Sequence, residues 1–208
     1  MTLVNIHLEQ RRALVACDTA VANSRGQRIA GSASKLWVIP SGGLVVTGRG
    51  GLLLTACVAT YLAGGAEPLD GLSFDTAPRF LPEAVKNGWL AERTAYPASA
   101  AYAGDALHTL YLCGWSDKRQ SMAAACVELR NGTIEGMKLA GAIIAPSFQA
   151  EPDAAPQMAT DAEMMDGARR QVFSRSSDEG IGGSLHVAEL TMIEGRFCAA
   201  VRDLGPIE

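Results

Sequence analysis

Short apolar runs separated by polar turns open the chain, and this pattern predicts a series of β-strands. Residues 2–8 and 12–17 are two such runs. The polar residues between them, EQRR, are typical of the turn of a β-hairpin. Three further short strands are predicted at 28–32, at 35–39 (KLWVI) and at 43–47 (GLVVT), the last two joined by the turn PSG.

After Gly48 the pattern changes to one that favours helices. The apolar segment LLLTACVATYLA is too long for a strand, so we predict a buried helix over 50–63, ended by Gly64-Gly65. A second helix is predicted from Pro82 to about Arg93. The segment ATDAEMMDGARRQVFSR, residues 159–175, predicts a third helix, with Thr160 or Asp161 as its N-cap.

The remaining apolar runs predict strands before and after that third helix. Several of them, such as LVACD and LYLCG, are apolar at consecutive positions, which is typical of strands covered on both faces. We therefore predict a single α+β domain over residues 1–208, a four-layer αββα sandwich of two antiparallel sheets flanked by helices. These later strands are expected at 106–115, 122–130, 133–144, 184–193 and 196–204.

Composition narrows the classes of function. The 208 residues are 48% hydrophobic and 19% charged, with a net charge of −4. The basic residues are scattered, so we expect no nucleic-acid partner. No apolar run has the length of a membrane span and the first residues do not form a signal peptide, so we expect no membrane association and a cytoplasmic location. The three histidines have no paired spacing for a metal, and we predict neither a metal nor a cofactor.

The predicted first hairpin brings together side chains that could form a catalytic site. If it turns about Gln10, the numbers of facing residues sum to about 20, and Thr2 faces Asp18. Val4, Ile6, Leu8, Leu14 and Ala16 would share the sheet face of Thr2. Lys35 is the first residue of a later predicted strand, and we expect its side chain to reach the same end of the sheet. A threonine hydroxyl, a carboxylate and an ammonium are therefore expected together.

This combination is typical of an activated nucleophile. If Met1 is removed, the α-amine of Thr2 titrates near neutrality and can accept the proton of its own hydroxyl. The glycine-rich turn TGRGG, residues 47–51, precedes a helix and offers backbone N–H groups to a developing oxyanion. The alternative for Gly48, Gly50 and Gly51 is close packing of helix on sheet, which we favour over binding of a free anion.

These positions resemble the β-type subunits of the 20S proteasome and their bacterial relatives, within the N-terminal nucleophile (Ntn) hydrolases. The matching residues are Thr2, Asp18 in ALVACDTAV, Lys35 in SASKLWVI and Gly48 in VVTGRGG. The spacing from Thr2 to Asp18 fits without a gap, and that from Asp18 to Lys35 is one residue longer than usual. The late segment DEGIGGSLHVAEL resembles D-x-x-S-G-G-x-x-x-V, which puts Asp178 at the second aspartate position.

The resemblance implies a threonine-type amidohydrolase or peptidase that acts on a peptide or amide substrate through Thr2. It also implies self-association, for example into a ring, or a place as a subunit of a larger assembly, such as a bacterial or phage particle assembled in the cytoplasm. One departure favours an alternative. Ile181 stands where the pattern has serine, and isoleucine cannot hydrogen-bond an amine or relay a proton. A catalytically silent assembly subunit of the same fold is the alternative.

Overall fold

A computed structural model describes residues 2–22, 28–64, 69–97, 107–145, 158–173 and 181–207. Twelve strands, three α-helices and two short 3₁₀-helices (Pro40–Gly42 and Ala77–Arg79) make up the regular structure of this part of the chain. The first strands and the helices that follow them are β1 (Val4–Leu8), β2 (Arg12–Asp18), β3 (Ala20–Ala22), β4 (Arg28–Ser32), β5 (Trp37–Ile39), β6 (Leu44–Arg49), α1 (Leu52–Leu62) and α2 (Leu81–Ala95). The later elements are β7 (Leu107–Ser116), β8 (Ser121–Arg130), β9 (Thr133–Ala140), β10 (Ile143–Ala145), α3 (Asp161–Phe173), β11 (Ser184–Ile193) and β12 (Arg196–Pro206).

Two five-stranded antiparallel sheets form the centre of the molecule. We call them sheet A, with the strand order β10-β1-β2-β11-β12, and sheet C, with the order β5-β6-β7-β8-β9. The short strands β3 and β4 pair separately beside them. All pairings within the two large sheets are antiparallel. Short turns account for this in the hairpins, such as β1–β2 and β7–β8, whereas β6 and β7 pair across the two helices that separate them in the chain.

Three hydrophobic clusters define the order of the layers. One lies between the two sheets and contains side chains of both, among them Val4, Val15 and Tyr111. A second joins the outer face of sheet C to α1 and α2. The third joins the outer face of sheet A to α3, through residues such as Leu14 and Met164. The predicted αββα sandwich is therefore confirmed.

Helix α1 is apolar around most of its circumference because it is covered on two sides. Leu54, Val58 and Leu62 are buried in the cluster with sheet C, and α2 packs against another side of α1. Gly88 of α2 permits this close approach, since a Cβ there would lie 2.9 Å from the Leu54 carbonyl oxygen. None of the described helices combines the length and apolar composition that a membrane crossing requires.

Helix α3 begins with the cap that the sequence predicts. The Glu163 N–H donates to the Thr160 hydroxyl at 3.2 Å, and the Thr160 N–H donates to the Glu163 carboxylate at 2.9 Å. This reciprocal pair is a capping box, so Thr160 is the capping residue and Asp161 begins the helix.

The single strand predicted over 133–144 is wrong. The chain forms β9 in sheet C, leaves it at Gly141 and Ala142, and forms β10 in sheet A, where Ile143 pairs with Ile6. The apolar pattern continues through this crossing because both strands cover cores, so periodicity alone does not mark the break.

Candidate functional site

The structure brings Thr2, Asp18 and Lys35 together at one end of the two sheets. Thr2 lies just before β1, Asp18 is the last residue of β2, and Lys35 lies just before β5. The Lys35 ammonium donates to the Thr2 hydroxyl with an Nζ–Oγ1 distance of 3.4 Å. It also lies 3.2 Å from Oδ1 and 3.1 Å from Oδ2 of Asp18. One ammonium therefore bridges the hydroxyl and the carboxylate.

All three side chains are withdrawn from solvent, with residue exposures of 7% for Thr2, 0% for Asp18 and 5% for Lys35. The ion pair is therefore only weakly screened by water. Burial raises the pKa of the Asp18 carboxyl above its ordinary value, and the Lys35 ammonium opposes that rise.

Two backbone N–H groups also hold the Asp18 carboxylate, and neither was predicted from the sequence. The Leu3 N–H donates to Oδ1 at 2.8 Å, and the Gly182 N–H donates to Oδ2 at 3.4 Å. Asp18 therefore connects the residue after Thr2 with the double glycine before β11. The motif around Gly182 indicated that this segment matters for the site. A hydrogen bond from a backbone N–H, however, does not depend on the type of side chain and cannot be predicted from it.

The predicted hairpin register is wrong by one residue. Val4 pairs with Cys17 and not with Ala16, so Thr2 is not directly opposite Asp18. The predicted common face is wrong for the same reason: Val4 lies in the cluster between the sheets, whereas Leu14 and Ala16 lie against α3. Thr2 and Asp18 are still joined, because Lys35 contacts both.

Gly48 lies on β6, where sheet C faces this end of sheet A. Its neighbour Thr47 donates a hydrogen bond to the Cys17 thiol, with an oxygen–sulfur distance of 3.6 Å, and Cys17 adjoins Asp18. Burial raises the pKa of the Cys17 thiol to about 12, so this sulfur is a packing group and not a nucleophile. A Cβ at Gly48 would lie 2.5 Å from the Thr55 hydroxyl oxygen. The packing role expected for Gly48 is therefore present.

Two residues of the predicted site fall outside the described residues, namely Asp178 and the removable Met1. Ile181 is described and is 8% exposed, within the cluster that contains Leu14 and Met164. It packs as a core residue at the position where the resemblance expects serine. No group of three or more His, Cys, Asp or Glu side chains that could hold a metal occurs in the described ranges.

The arrangement is suited to stabilising negative charge on the Thr2 oxygen. The Lys35 ammonium donates to that oxygen and would strengthen this contact as the hydroxyl loses its proton. Asp18 holds the ammonium in place through both carboxylate oxygens. The geometry therefore fits attack by a hydroxyl on an electrophilic carbon.

The two facing sheets with outer helices form a proteasome-like fold. Two solved structures with this fold are Anbu proteins. Anbu (ancestral beta-subunit) from Yersinia bercovieri matches with a TM-score of 0.60 at 16% identity, over 91% of this chain and 81% of that chain. The helical assembly of the Anbu complex from Pseudomonas aeruginosa matches with a TM-score of 0.62 at 13% identity, over 99% and 87%.

These comparisons correct the family assignment made from the sequence. No protein-family model matches the chain. No curated protein matches it either. Both of these solved structures are Anbu proteins, so the assignment to the 20S proteasome β-subunit-like family is wrong. At these identities the likeness establishes the fold alone.

Proposed function

We propose that this protein is a threonine-type amidohydrolase that uses Thr2 as its nucleophile after removal of Met1. The observation that supports this function best is the Lys35 ammonium, 3.4 Å from the Thr2 hydroxyl oxygen and paired with a buried Asp18. The proposed site comprises Thr2, Asp18, Lys35, Gly48 and Asp178, and its substrate is a peptide or another amide. Residues 1–208 are proposed to form one domain.

Acylation begins with transfer of the Thr2 hydroxyl proton to the free α-amine of the same residue. The oxygen attacks the amide carbonyl carbon, and the carbonyl electrons move to its oxygen. Gly48 N–H is proposed to donate to that oxyanion. The tetrahedral intermediate collapses, the C–N bond breaks, and the α-ammonium returns its proton to the leaving amine. The product on the enzyme is an ester of Thr2.

Deacylation repeats these transfers with water as the nucleophile. The α-amine takes a proton from water, the hydroxide attacks the ester carbon, and the C–O bond to Thr2 breaks. The threonine oxygen regains its proton from the α-ammonium and the acid product leaves. In both acylation and deacylation, Lys35 stabilises negative charge on the Thr2 Oγ1, and Asp18 orients Lys35. The resemblance assigns Asp178 a supporting role.

A catalytically silent assembly subunit is the second candidate. Two observations favour it: Ile181 replaces a hydroxyl residue beside the site, and one solved structure of this fold is a helical Anbu assembly. Under either candidate we propose self-association, into a ring or a helix, or incorporation into a larger particle, in the cytoplasm. If Met1 is retained, the nitrogen of Thr2 is an amide and cannot act as the base.

Intact-mass spectrometry of the protein from its native source is the first test. The hydrolase proposal expects a mass without Met1 and an ester adduct on Thr2 after reaction with a threonine-directed electrophile. Thr2→Ala should abolish the adduct, and Thr2→Ser, which keeps a hydroxyl, should retain it. We expect Lys35→Met to slow acylation by roughly 10²-fold or more.

Retention of Met1 in the native protein would exclude the hydrolase and leave the assembly subunit. Removal of Met1 without any adduct would also count against catalysis. Arg170→Met, on the exposed face of α3, is the matched control for Lys35→Met and should leave acylation unchanged.

A further inference from the structure

The connection from β6 to α1 consists of two glycines, Gly50 and Gly51, and two side chains from elsewhere in the fold hold it. Gly51 is the residue before α1 and has no side chain with which to cap that helix. The first N–H groups of the helix therefore need partners from other elements. Gly50 has a φ of 114°, a conformation that residues with a side chain rarely adopt.

Glu92 of α2 supplies one of these partners. Its carboxylate accepts a hydrogen bond from the Leu54 N–H at 2.6 Å, and the residue is only 5% exposed. A carboxylate at this end of a helix is also stabilised by the helix dipole. The carboxylate occupies the space beside Gly51, since a Cβ there would lie 2.0 Å from both carboxylate oxygens.

His108 of β7 holds the same connection from the sheet. Its Nδ1 accepts a hydrogen bond from the Gly51 N–H at 3.0 Å, which places the proton of the neutral ring on Nε2. The ring is 2% exposed and lies edge-on to Trp89 at 5.8 Å between centroids. A Cβ at Gly50 would lie 2.4 Å from Nδ1, so the loop backbone lies directly on the imidazole.

The same contacts control where Gly48 lies. Thr55 of α1 donates its hydroxyl hydrogen to the Gly51 carbonyl at 3.1 Å, and that hydroxyl oxygen packs on Gly48. The position of α1 is therefore transmitted to Gly48 by direct contact. Displacement of α1 by loss of Glu92 or His108 would change the orientation of the Gly48 N–H.

We propose that Glu92 and His108 are positioning residues that hold the Gly48 N–H in the orientation required to stabilise an oxyanion. This proposal rests on the hydrolase function proposed above. Neither residue touches the reacting atoms, and each acts through Gly51 and α1. Neither contact could be predicted from the sequence, because Glu92 and His108 lie on α2 and β7, far along the chain from the glycines they hold.

The test compares variants by kinetics and by amide NMR. Glu92→Gln and His108→Phe are expected to lower kcat by about tenfold or more with little change in KM, because misplacement of a transition-state donor affects the chemical step. His108→Asn keeps an acceptor near the position of Nδ1 and should restore kcat to within about twofold of wild type. Lys86→Gln, a charge change at an exposed position of the same helix, is the control.

The NMR readout is the amide chemical shift and hydrogen exchange of Gly48, Gly51 and Leu54. Glu92→Gln and His108→Phe should shift the Gly48 amide and speed exchange at Gly51 and Leu54, whereas His108→Asn and Lys86→Gln should not. An unmoved Gly48 amide, or an unchanged kcat, overturns the proposal. If wild type acylates no probe, the hydrolase proposal fails, and the Gly48 amide alone then decides whether Glu92 and His108 position this loop.

Discussion

At the scale of single residues, the buried Asp18–Lys35 pair is the most consequential contact. Removing both charges from water costs several kcal/mol per ion, and the pair recovers this through its mutual attraction and the N–H groups of Leu3 and Gly182. Loss of one partner leaves the other charge buried alone. The site is therefore expected to be sensitive to substitutions that preserve shape and remove charge.

Asp18→Asn tests this sensitivity directly. The amide fits the same space but leaves the Lys35 ammonium without its counter-charge, and we expect unfolding to become easier by about 3–5 kcal/mol. Urea denaturation at neutral pH measures the change. Asp166→Asn is the control, because its ion pair with Arg170 is exposed and such pairs contribute at most about 1 kcal/mol. Equal, small losses in both variants would contradict the argument.

At the scale of elements, an ionic network joins α3 to sheet A. Glu189 of β11 accepts from Arg12 of β2 at 2.6 Å and from Arg202 of β12 at 2.7 Å. Arg202 also pairs with Asp161 at the start of α3, at 2.9 Å. Four elements therefore meet in one alternating set of charges, and this set fixes the N-terminus of α3 on the sheet.

This network gives the protein a predictable response to acid. Hydrogen bonding from Arg12, with help from Arg202, holds the pKa of Glu189 below its ordinary value of 4.5. A group with a lowered pKa in the folded state stabilises the fold above its ordinary pKa, and this contribution is lost as pH falls through the folded value.

We therefore expect the urea concentration at the unfolding midpoint to decrease as the pH falls below about 4.5. Glu189→Gln should weaken this dependence on pH. Midpoints measured from neutral pH to about pH 3 provide the test. Glu135→Gln, an exposed carboxylate on β9, should leave the dependence as in wild type. A pH profile of Glu189→Gln parallel to that of wild type would show that the network does not govern it.

The first hairpin illustrates what the sequence could and could not predict at this scale. The apolar runs and the polar turn were sufficient to predict both strands. The register depended on the loop: the Glu9 N–H donates to the Arg12 carbonyl at 2.8 Å, so the turn has two central residues, Gln10 and Arg11, and is not centred on Gln10. The polar residues of this turn are compatible with either register. A shift of one residue moves every side chain of the strand to the opposite face of the sheet.

At the scale of the whole molecule, the two sheets share one core and are tied at one edge. The chain crosses from β9 to β10 through Gly141 and Ala142, and the Met122 N–H of sheet C donates to the Gln10 carbonyl beside sheet A at 2.9 Å. The layer order could be predicted because apolar runs and helix patterns are local. The convergence of Leu3, Gly182 and Lys35 on Asp18 could not, because it depends on backbone donors and tertiary packing.

This shared core predicts that the sheets unfold together. We expect the slowest-exchanging amides of β2 and β7, the central strands of sheets A and C, to report the same opening free energy, equal to that of global unfolding. Native-state hydrogen exchange in increasing denaturant measures it, with the edge strand β12 as a faster-exchanging reference. A difference above about 2 kcal/mol between β2 and β7 would show that the sheets open as separate units.

The contact between Gly51 and Glu92 has a consequence for the descent of this chain. The two residues compete for the same volume, because the carboxylate of one fills the place where a side chain of the other would begin. A side chain at 51 therefore requires the Glu92 carboxylate to leave the start of α1, where it accepts from the Leu54 N–H. In an alignment of relatives, positions 51 and 92 should covary.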